Sequence, residues 1–433
     1  MRAQFRAAAL SLAVIAGTPG QPALAVECDY VAPVQGPPVT TSSIDAPLPF
    51  NMTQAFDMLA GDAAAATASA RSARTPEDAA KPGFDPDAFA AALAQTLDSS
   101  TTGYTFELRR DGIPLHSRSG GFARNEKSGD PYHELKWDAD RRMHVASVSK
   151  LITAMALVRL LSDKGIGVDT PIIRHLPAYW VKGPNIEKIT FSQLMRHEAG
   201  FRTGTSFSDY RFMRTNVANG IDLRNMGRYA YENMNFGLGR VLIPIINGDI
   251  AADAPLSDAA WDDETFRFYD SYVRRVVFAP ARVTGATLAR TADTALAYDF
   301  PHSHPGWNTR RLSCLAGGAA WYMTLNEVIS VLSEFRRGNS ILPAAAAQQL
   351  LEAGFGIDRP DVTRVGTIFS KTGYWWRYSD KDTYKDLQME QSLAAFLPGG
   401  LELVVFANSH VAPTDQLLFL IRLVRRTFNA SVR

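Results

Sequence analysis

Strand-like runs stand at the two ends of the compact part of this chain, with a long helical middle between them. Tyr104 to Leu108 alternates as a strand, Asp111-Gly112 signals a two-residue hairpin, and Ile113 to Phe122 returns as a second strand. Far downstream, Val365 to Lys371 reads as a strand. Ser392 to Leu397 and Leu401 to Ala407 are two more, joined at Pro398-Gly399-Gly400. Strands at both ends with helices between them imply an α+β fold, a mainly antiparallel sheet flanked by helices, with a helical insertion at about 165–315. Asp85 to Leu97 carries Phe89, Leu93 and Leu97 at helical spacing, and a longer apolar helix runs from Ser147 through Leu151, Ala154, Leu157 and Leu161 to Gly165 and Gly167. Leu417 to Phe428 closes the chain as a helix. Its Arg422, Arg425 and Arg426 suit the solvated face of a docked helix better than a lipid surface.

The segments before this region read differently. Arg2 and Arg6 precede an apolar run from Ala7 to Gly17, and Ala23-Leu24-Ala25 is the small-x-small pattern of a signal-peptidase site. Residues 1–25 are therefore expected to be a signal peptide, with a periplasmic or secreted product and no stable membrane span after cleavage; a retained anchor is the rival reading. Residues 26–83 form a low-complexity lead-in, rich first in Pro and Thr, then in Ala, Ser, Arg and Asp, with a short helix conceivable near Met52 to Leu59. The compact unit is expected over 84–430. In an oxidising compartment Cys28 and Cys314, the only two cysteines, could pair.

Composition excludes several classes. The 45 Lys+Arg against 44 Asp+Glu give no electrostatic case for nucleic acid, and two cysteines cannot build a four-thiolate zinc site. His197-Glu198 lacks the second histidine of a His-Glu-x-x-His zinc motif, because position 201 is Phe. His302-x-His304 sits between prolines and reads more readily as a loop than as a metal site. No Gly-x-Ser-x-Gly elbow or phosphate-binding Gly-rich loop is present, and no metal or cofactor is expected.

Ser147-Val148-Ser149-Lys150 remains. Residues three apart share a helix face. A serine hydroxyl needs a neighbouring base, and a lysine serves only if burial or a second cation depresses its pKa. Alone, the tetrapeptide reads better as a capped helix start. With Met143 to Ala146 before it and Leu151 to Ala154 after it, the segment resembles the nucleophile segment of the serine β-lactamase and penicillin-binding-protein superfamily. Within that superfamily it is most similar to the branch of class C β-lactamases, DD-peptidases and related esterases. Tyr231-Glu232-Asn233 matches the Tyr-x-Asn element of that branch, and Lys371-Thr372-Gly373 the Lys-Thr-Gly element. Ile189-Thr190 through Leu194, His197 and Gly200, and Ala316-Gly317-Gly318 before Thr324, resemble further segments of it.

The resemblance implies roles. Ser147 would form an acyl-enzyme. Lys150 would share the proton transfer, as base or as electrostatic support. Tyr231 would act as acid or base, its pKa lowered by the Lys150 and Lys371 ammonium groups. Asn233 would donate to a substrate amide, Lys371 and Thr372 would meet a substrate carboxylate, and Gly373 would let the substrate backbone run beside the strand. The backbone N–H groups of Ser147 and Tyr374 would form the oxyanion hole. The sequence departs from the family pattern at Glu232, which is expected to turn away into a salt bridge. It departs again at Tyr374-Trp375-Trp376, a candidate apolar platform or narrowing of the acyl pocket, and at Tyr378 to Lys385, a candidate inserted loop. A β-lactam, a peptidoglycan-type D-Ala-D-Ala peptide and a small-molecule ester compete as substrates. A sensor that acylates without turnover is a further alternative.

Overall fold

The computed structural model describes residues 83–126, 133–205, 207–309, 312–378, 386–412 and 419–433. The expected signal peptide, most of the lead-in, the helix near Met52, Cys28 and the candidate loop after Tyr378 lie outside the described residues.

In chain order, helix α1 (Pro86–Ser100) leads to β1 (Gly103–Arg110), β2 (Ile113–Arg124), β3 (Leu135–Lys136) and β4 (Met143–His144). Then come α2 (Val148–Asp163), α3 (Phe191–Met195), α4 (Tyr210–Asn219), α5 (Asn233–Asn247) and α6 (Asp258–Val273). The chain returns through β5 (Tyr322–Met323), α7 (Leu325–Arg337), α8 (Ala344–Glu352), β6 (Asp361–Thr363), β7 (Gly366–Tyr378), β8 (Leu387–Leu397), β9 (Leu401–Ala407) and α9 (Leu420–Ala430). Seven strands form one antiparallel sheet in the order β3-β2-β1-β9-β8-β7-β6, and β4 pairs with β5 apart from it. The first and last hairpins of the compact region thus meet at its centre, through β1 and β9. This is the mixed architecture expected, an antiparallel sheet flanked by helices. Between β4 and β5 the chain is helix and loop, and β-pairing among the described residues there is confined to isolated bridges.

Local chemistry accounts for the punctuation. Asp85 caps α1 by accepting from the Asp87 and Ala88 N–H groups, and Pro86 fills the first helical position. Asp111 and Gly112 both take positive φ, 50° and 74°, as a tight hairpin between right-twisted strands demands. The period-two pattern of β8 and β9 divides two cores. Ala394, Phe396, Val404 and Phe406 face the helical side and α2, while Leu393, Ala395, Leu403 and Val405 face α1 and α9. Both strands are buried along their whole length.

Two boundaries differ from the sequence reading. The strand expected to end at Lys371 continues as β7 to Tyr378, because the aromatic run beyond Gly373 pairs in register with Leu387 to Gln391, which extends β8 at its start. The final helix is docked: Leu420, Ile421, Leu423, Val424 and Phe428 are buried, and Arg425 pairs with Asp361 at 2.9 Å.

Candidate active site

Ser147 stands at the entry to α2. Its side chain makes no capping bond, so the capped-start reading fails and the hydroxyl is directed elsewhere. Ala146 before it holds a φ of +44°, a left-handed conformation unusual for a residue with a Cβ. The segment is pressed onto β7. A Cβ at Gly373 would lie 2.3 Å from the Val145 carbonyl and 2.3 Å from Ser392 Oγ, and Ser392 Oγ donates to that carbonyl at 2.7 Å. Gly373, expected to let a substrate backbone run beside the strand, makes room here for the segment from Val145 to Ser147.

Lys150, one helical turn on, is fully buried. Its Nζ lies 2.9 Å from Ser147 Oγ, 2.7 Å from Asn233 Oδ1 and 2.9 Å from the Gly318 carbonyl. Burial, reinforced by the Lys371 charge, holds its pKa well below the ordinary lysine value, and the Asp358 carboxylate offsets part of that shift. A neutral amine has two N–H groups and one lone pair. The Gly318 carbonyl can only accept, and the Asn233 amide oxygen accepts as well, so the lone pair is left for the Ser147 hydroxyl. Asn233 therefore anchors Lys150 through its amide oxygen.

Tyr231 OH donates to Ser147 Oγ at 2.6 Å. Its pKa was expected to fall beside two ammonium groups. It is raised instead: burial dominates, the bond to Ser147 opposes it only in part, and Asp358 adds to the rise. The phenol is held protonated and donates to Ser147 Oγ.

Glu232, between Tyr231 and Asn233, turns away from the site as expected, but among the described residues it enters no salt bridge. Its carboxylate accepts from the Thr203 N–H at 2.7 Å, from the Thr203 hydroxyl and from the Gly204 N–H at 3.4 Å. His197, set aside as a metal ligand, supports the same segment. The ring is buried and lies 4.4 Å from the Tyr231 ring, and its Nδ1 accepts from the Glu232 N–H at 3.2 Å. Burial above all keeps its pKa well below the usual histidine value, so it serves as a neutral acceptor. His304 instead bonds Asp299 at 2.6 Å, and His302 meets Asn125 at 3.0 Å. Among the described residues no group of three or more His, Cys, Asp or Glu could hold a metal ion.

Lys371 and Thr372 both turn donors to Asp358. Lys371 Nζ, 5.2 Å from the Tyr231 ring centroid, bonds Asp358 Oδ1 at 2.5 Å, and the Thr372 N–H and Oγ1 both donate to Asp358 Oδ2 at 2.8 Å. Asp358 belongs to no sequence motif, and its role emerges only from the loop that lays it along β7. Gly318, whose carbonyl meets Lys150, was marked only by the Ala316-Gly317-Gly318 resemblance.

The three aromatics after Gly373 divide by the pleat. Tyr374 packs against Phe419 in the core on the far side of the sheet, and Trp376 lies against that core too. Trp375 stays on the nucleophile side, edge-on to His144 with ring centroids 5.5 Å apart. So at most one ring of the three could border a bound acyl group. The Thr372 N–H points to the open edge of β7, and the same alternation turns the Tyr374 N–H outward beside Ser147. Cys314 packs beside Trp375 and is disulfide-bonded; the chain's other cysteine, Cys28, lies outside the described residues.

Residues 89–410 match the family model described as Beta-lactamase. Over 182 residues the chain is 29% identical to Esterase EstB of Burkholderia gladioli, covering 36% of this chain and 44% of that protein. Over 109 residues it is 31% identical to Esterase/beta-lactamase LipL of Mycobacterium tuberculosis, covering 24% of this chain and 25% of that one. These matches span less than half the length of either curated relative. FmtA from Staphylococcus aureus superposes with a TM-score of 0.57 at 14% identity, over 86% of this chain and 94% of that chain, a likeness of fold. With the family match running from α1 to beyond β9 and enclosing every residue of the Ser147 cluster, the chain belongs to the Beta-lactamase family.

Proposed function

We propose that this chain is an exported active-site-serine acyl hydrolase that forms an acyl-enzyme on Ser147. It would act on ester, β-lactam or D-Ala-D-Ala-type amide substrates. One observation carries the reading: Ser147 Oγ is held between the depressed-pKa amine of Lys150 at 2.9 Å and the phenol of Tyr231 at 2.6 Å. A hydroxyl so placed has a base on one side and an acid on the other.

In acylation, Ser147 Oγ attacks the substrate carbonyl and its proton passes to Lys150 Nζ. The Ser147 and Tyr374 N–H groups stabilise the oxyanion, aided by the α2 amino terminus. The Tyr231 phenol gives its proton to the departing group and recovers one from the Lys150 ammonium. Water then reverses these transfers and frees Ser147. Both curated relatives are named esterases, and one also β-lactamase, which favours hydrolysis over a sensor that stops at the acyl-enzyme. Export is supported by the basic, apolar and small-x-small order of residues 1–25 and by a disulfide at Cys314. Among the described residues no helix is long and apolar enough to cross a membrane.

The test is incubation with a labelled penicillin and with p-nitrophenyl esters, read by intact mass and by product release. Turnover of either substrate, abolished with the covalent adduct in Ser147→Ala, is the expected result. Full activity in Ser147→Ala would reject the mechanism.

A further inference from the structure

We propose that Asp358 is a specificity-determining residue: its carboxylate occupies the anion corner built by Lys371 and Thr372, so the site takes acyl donors with an uncharged leaving group and disfavours those carrying a carboxylate there. The inference rests on the acyl-hydrolase reading above. Three donors converge on this one side chain, the Lys371 ammonium at 2.5 Å and the Thr372 N–H and hydroxyl at 2.8 Å each. Those are the groups that a ligand carboxylate would seek. The Asp358 charge also reaches the reacting groups, being felt at both Lys150 and Tyr231.

The residue is built in rather than resting there loosely. Its own N–H donates to the Ser370 carbonyl at 2.8 Å, clipping the loop to the open edge of β7. Two residues earlier, Gly356 packs so tightly on α2 that a Cβ there would lie 2.8 Å from the Lys150 carbonyl and 2.6 Å from Ala154 Cβ. The Gly356 N–H also donates to the Met195 carbonyl at 3.0 Å. The side chain is largely covered, with 17% of its surface exposed. The next residue, Arg359, is exposed and lies over the Tyr229 ring, while the Lys150 and Lys371 nitrogens lie 4.9 and 5.2 Å from the Tyr231 ring centroid. In a β-lactam and in a D-Ala-D-Ala peptide the carboxylate lies on the leaving side of the bond that breaks. Such a substrate would bring a second negative charge into a corner already neutralised, and like charges at close range repel strongly where water is scarce.

The test compares two isosteric esters of one acid, with 3-carboxyphenol or 3-carbamoylphenol as leaving group. Wild type is expected to show the higher kcat/KM with the carbamoyl ester. Asp358→Asn keeps the shape, removes the charge and frees the Lys371 charge, and should move the ratio towards the carboxylate ester by roughly 5- to 1,000-fold, the range from a close charge pair in bulk water to one near a protein surface. Asp358→Ala, should the amide variant misfold, is expected to move it the same way. A ratio unmoved in a folded variant, or a wild type preferring the carboxylate ester, overturns the proposal. The two leaving groups themselves, 3-hydroxybenzoate and 3-hydroxybenzamide, read the corner by equilibrium binding without turnover. If neither ester is cleaved, the hydrolase reading fails, and the ratio of their affinities in wild type and variant still decides for or against Asp358.

Discussion

Lys150→Met separates a neutral, proton-accepting lysine from an ordinary ammonium. Methionine preserves most of the buried stem and removes the amine. If Lys150 is neutral in the folded protein near neutral pH, the unfolded chain binds one more proton than the native state between the depressed native pKa and the ordinary lysine value of 10.5. Unfolding free energy then rises with pH through that window. The slope is at most about 1.4 kcal/mol per pH unit for one proton. The sign follows from the direction of the shift. The cost of burying the charged amine is fully present below the native pKa and is relieved as pH climbs towards 10.5. The variant has no such group, so the stability of wild type relative to Lys150→Met should increase steadily with pH. Superimposed on this is a pH-independent loss from the acceptors left behind at Asn233 Oδ1 and the Gly318 carbonyl, about 1–3 kcal/mol for each group left unsatisfied. Urea unfolding of both proteins from about pH 6 to 9.5 measures it, below the range where tyrosines ionise. Parallel curves across that range would mean that native Lys150 keeps an ordinary pKa, and the base in the mechanism would have to be another group.

Three further outcomes follow from the same geometry. Tyr231→Phe should lower kcat by roughly 10²- to 10⁴-fold, the usual scale for a general acid–base group, with a smaller change in KM; steady-state kinetics on a p-nitrophenyl ester decides, and an unchanged kcat would remove the phenol from the proton path. Acylation by wild type should weaken as pH falls and Lys150 takes up a proton, and single-turnover rates against pH should show that loss on the acid side. Gly373→Ala should abolish labelling of Ser147, because the new Cβ would meet the Val145 carbonyl and Ser392 Oγ at 2.3 Å each; labelling at the wild-type rate would show that the nucleophile segment can shift freely.

Legibility varied with the range of the interaction that fixes each feature. The Asp111-Gly112 and Pro398-Gly399-Gly400 hairpins, the face of α1 and the start of α2 are set by neighbours in the chain, so turn chemistry and periodicity located them. The end of β7 is set by its partner strand, which the reading of Lys371-Thr372-Gly373 as a terminus could not contain. Among the site residues, the serine, the lysine, the tyrosine and the asparagine were found by motif, and the structure brings all four within one hydrogen-bonded cluster. Their electrostatics were less accessible. The tyrosine shift was assigned the wrong sign because two nearby lysines were counted while burial was not, and because the carboxylate that neutralises one of them lies thirteen residues upstream in an unremarkable loop.

The sequence by itself determined which chemical groups are available and in what order they come: a hydroxyl and an amine one turn apart, a phenol two residues before an asparagine, and an ammonium at the end of an apolar run. Only the tertiary structure decided their charge states and which of them remain open to a ligand. Protonation depends on burial and on charges within a few ångströms, which are properties of packing rather than of spacing. So the Lys150 pKa is depressed because α2, α5 and the Gly318 turn close around it, and Lys371 becomes half of an ion pair because the loop after α8 lays Asp358 along the edge of β7.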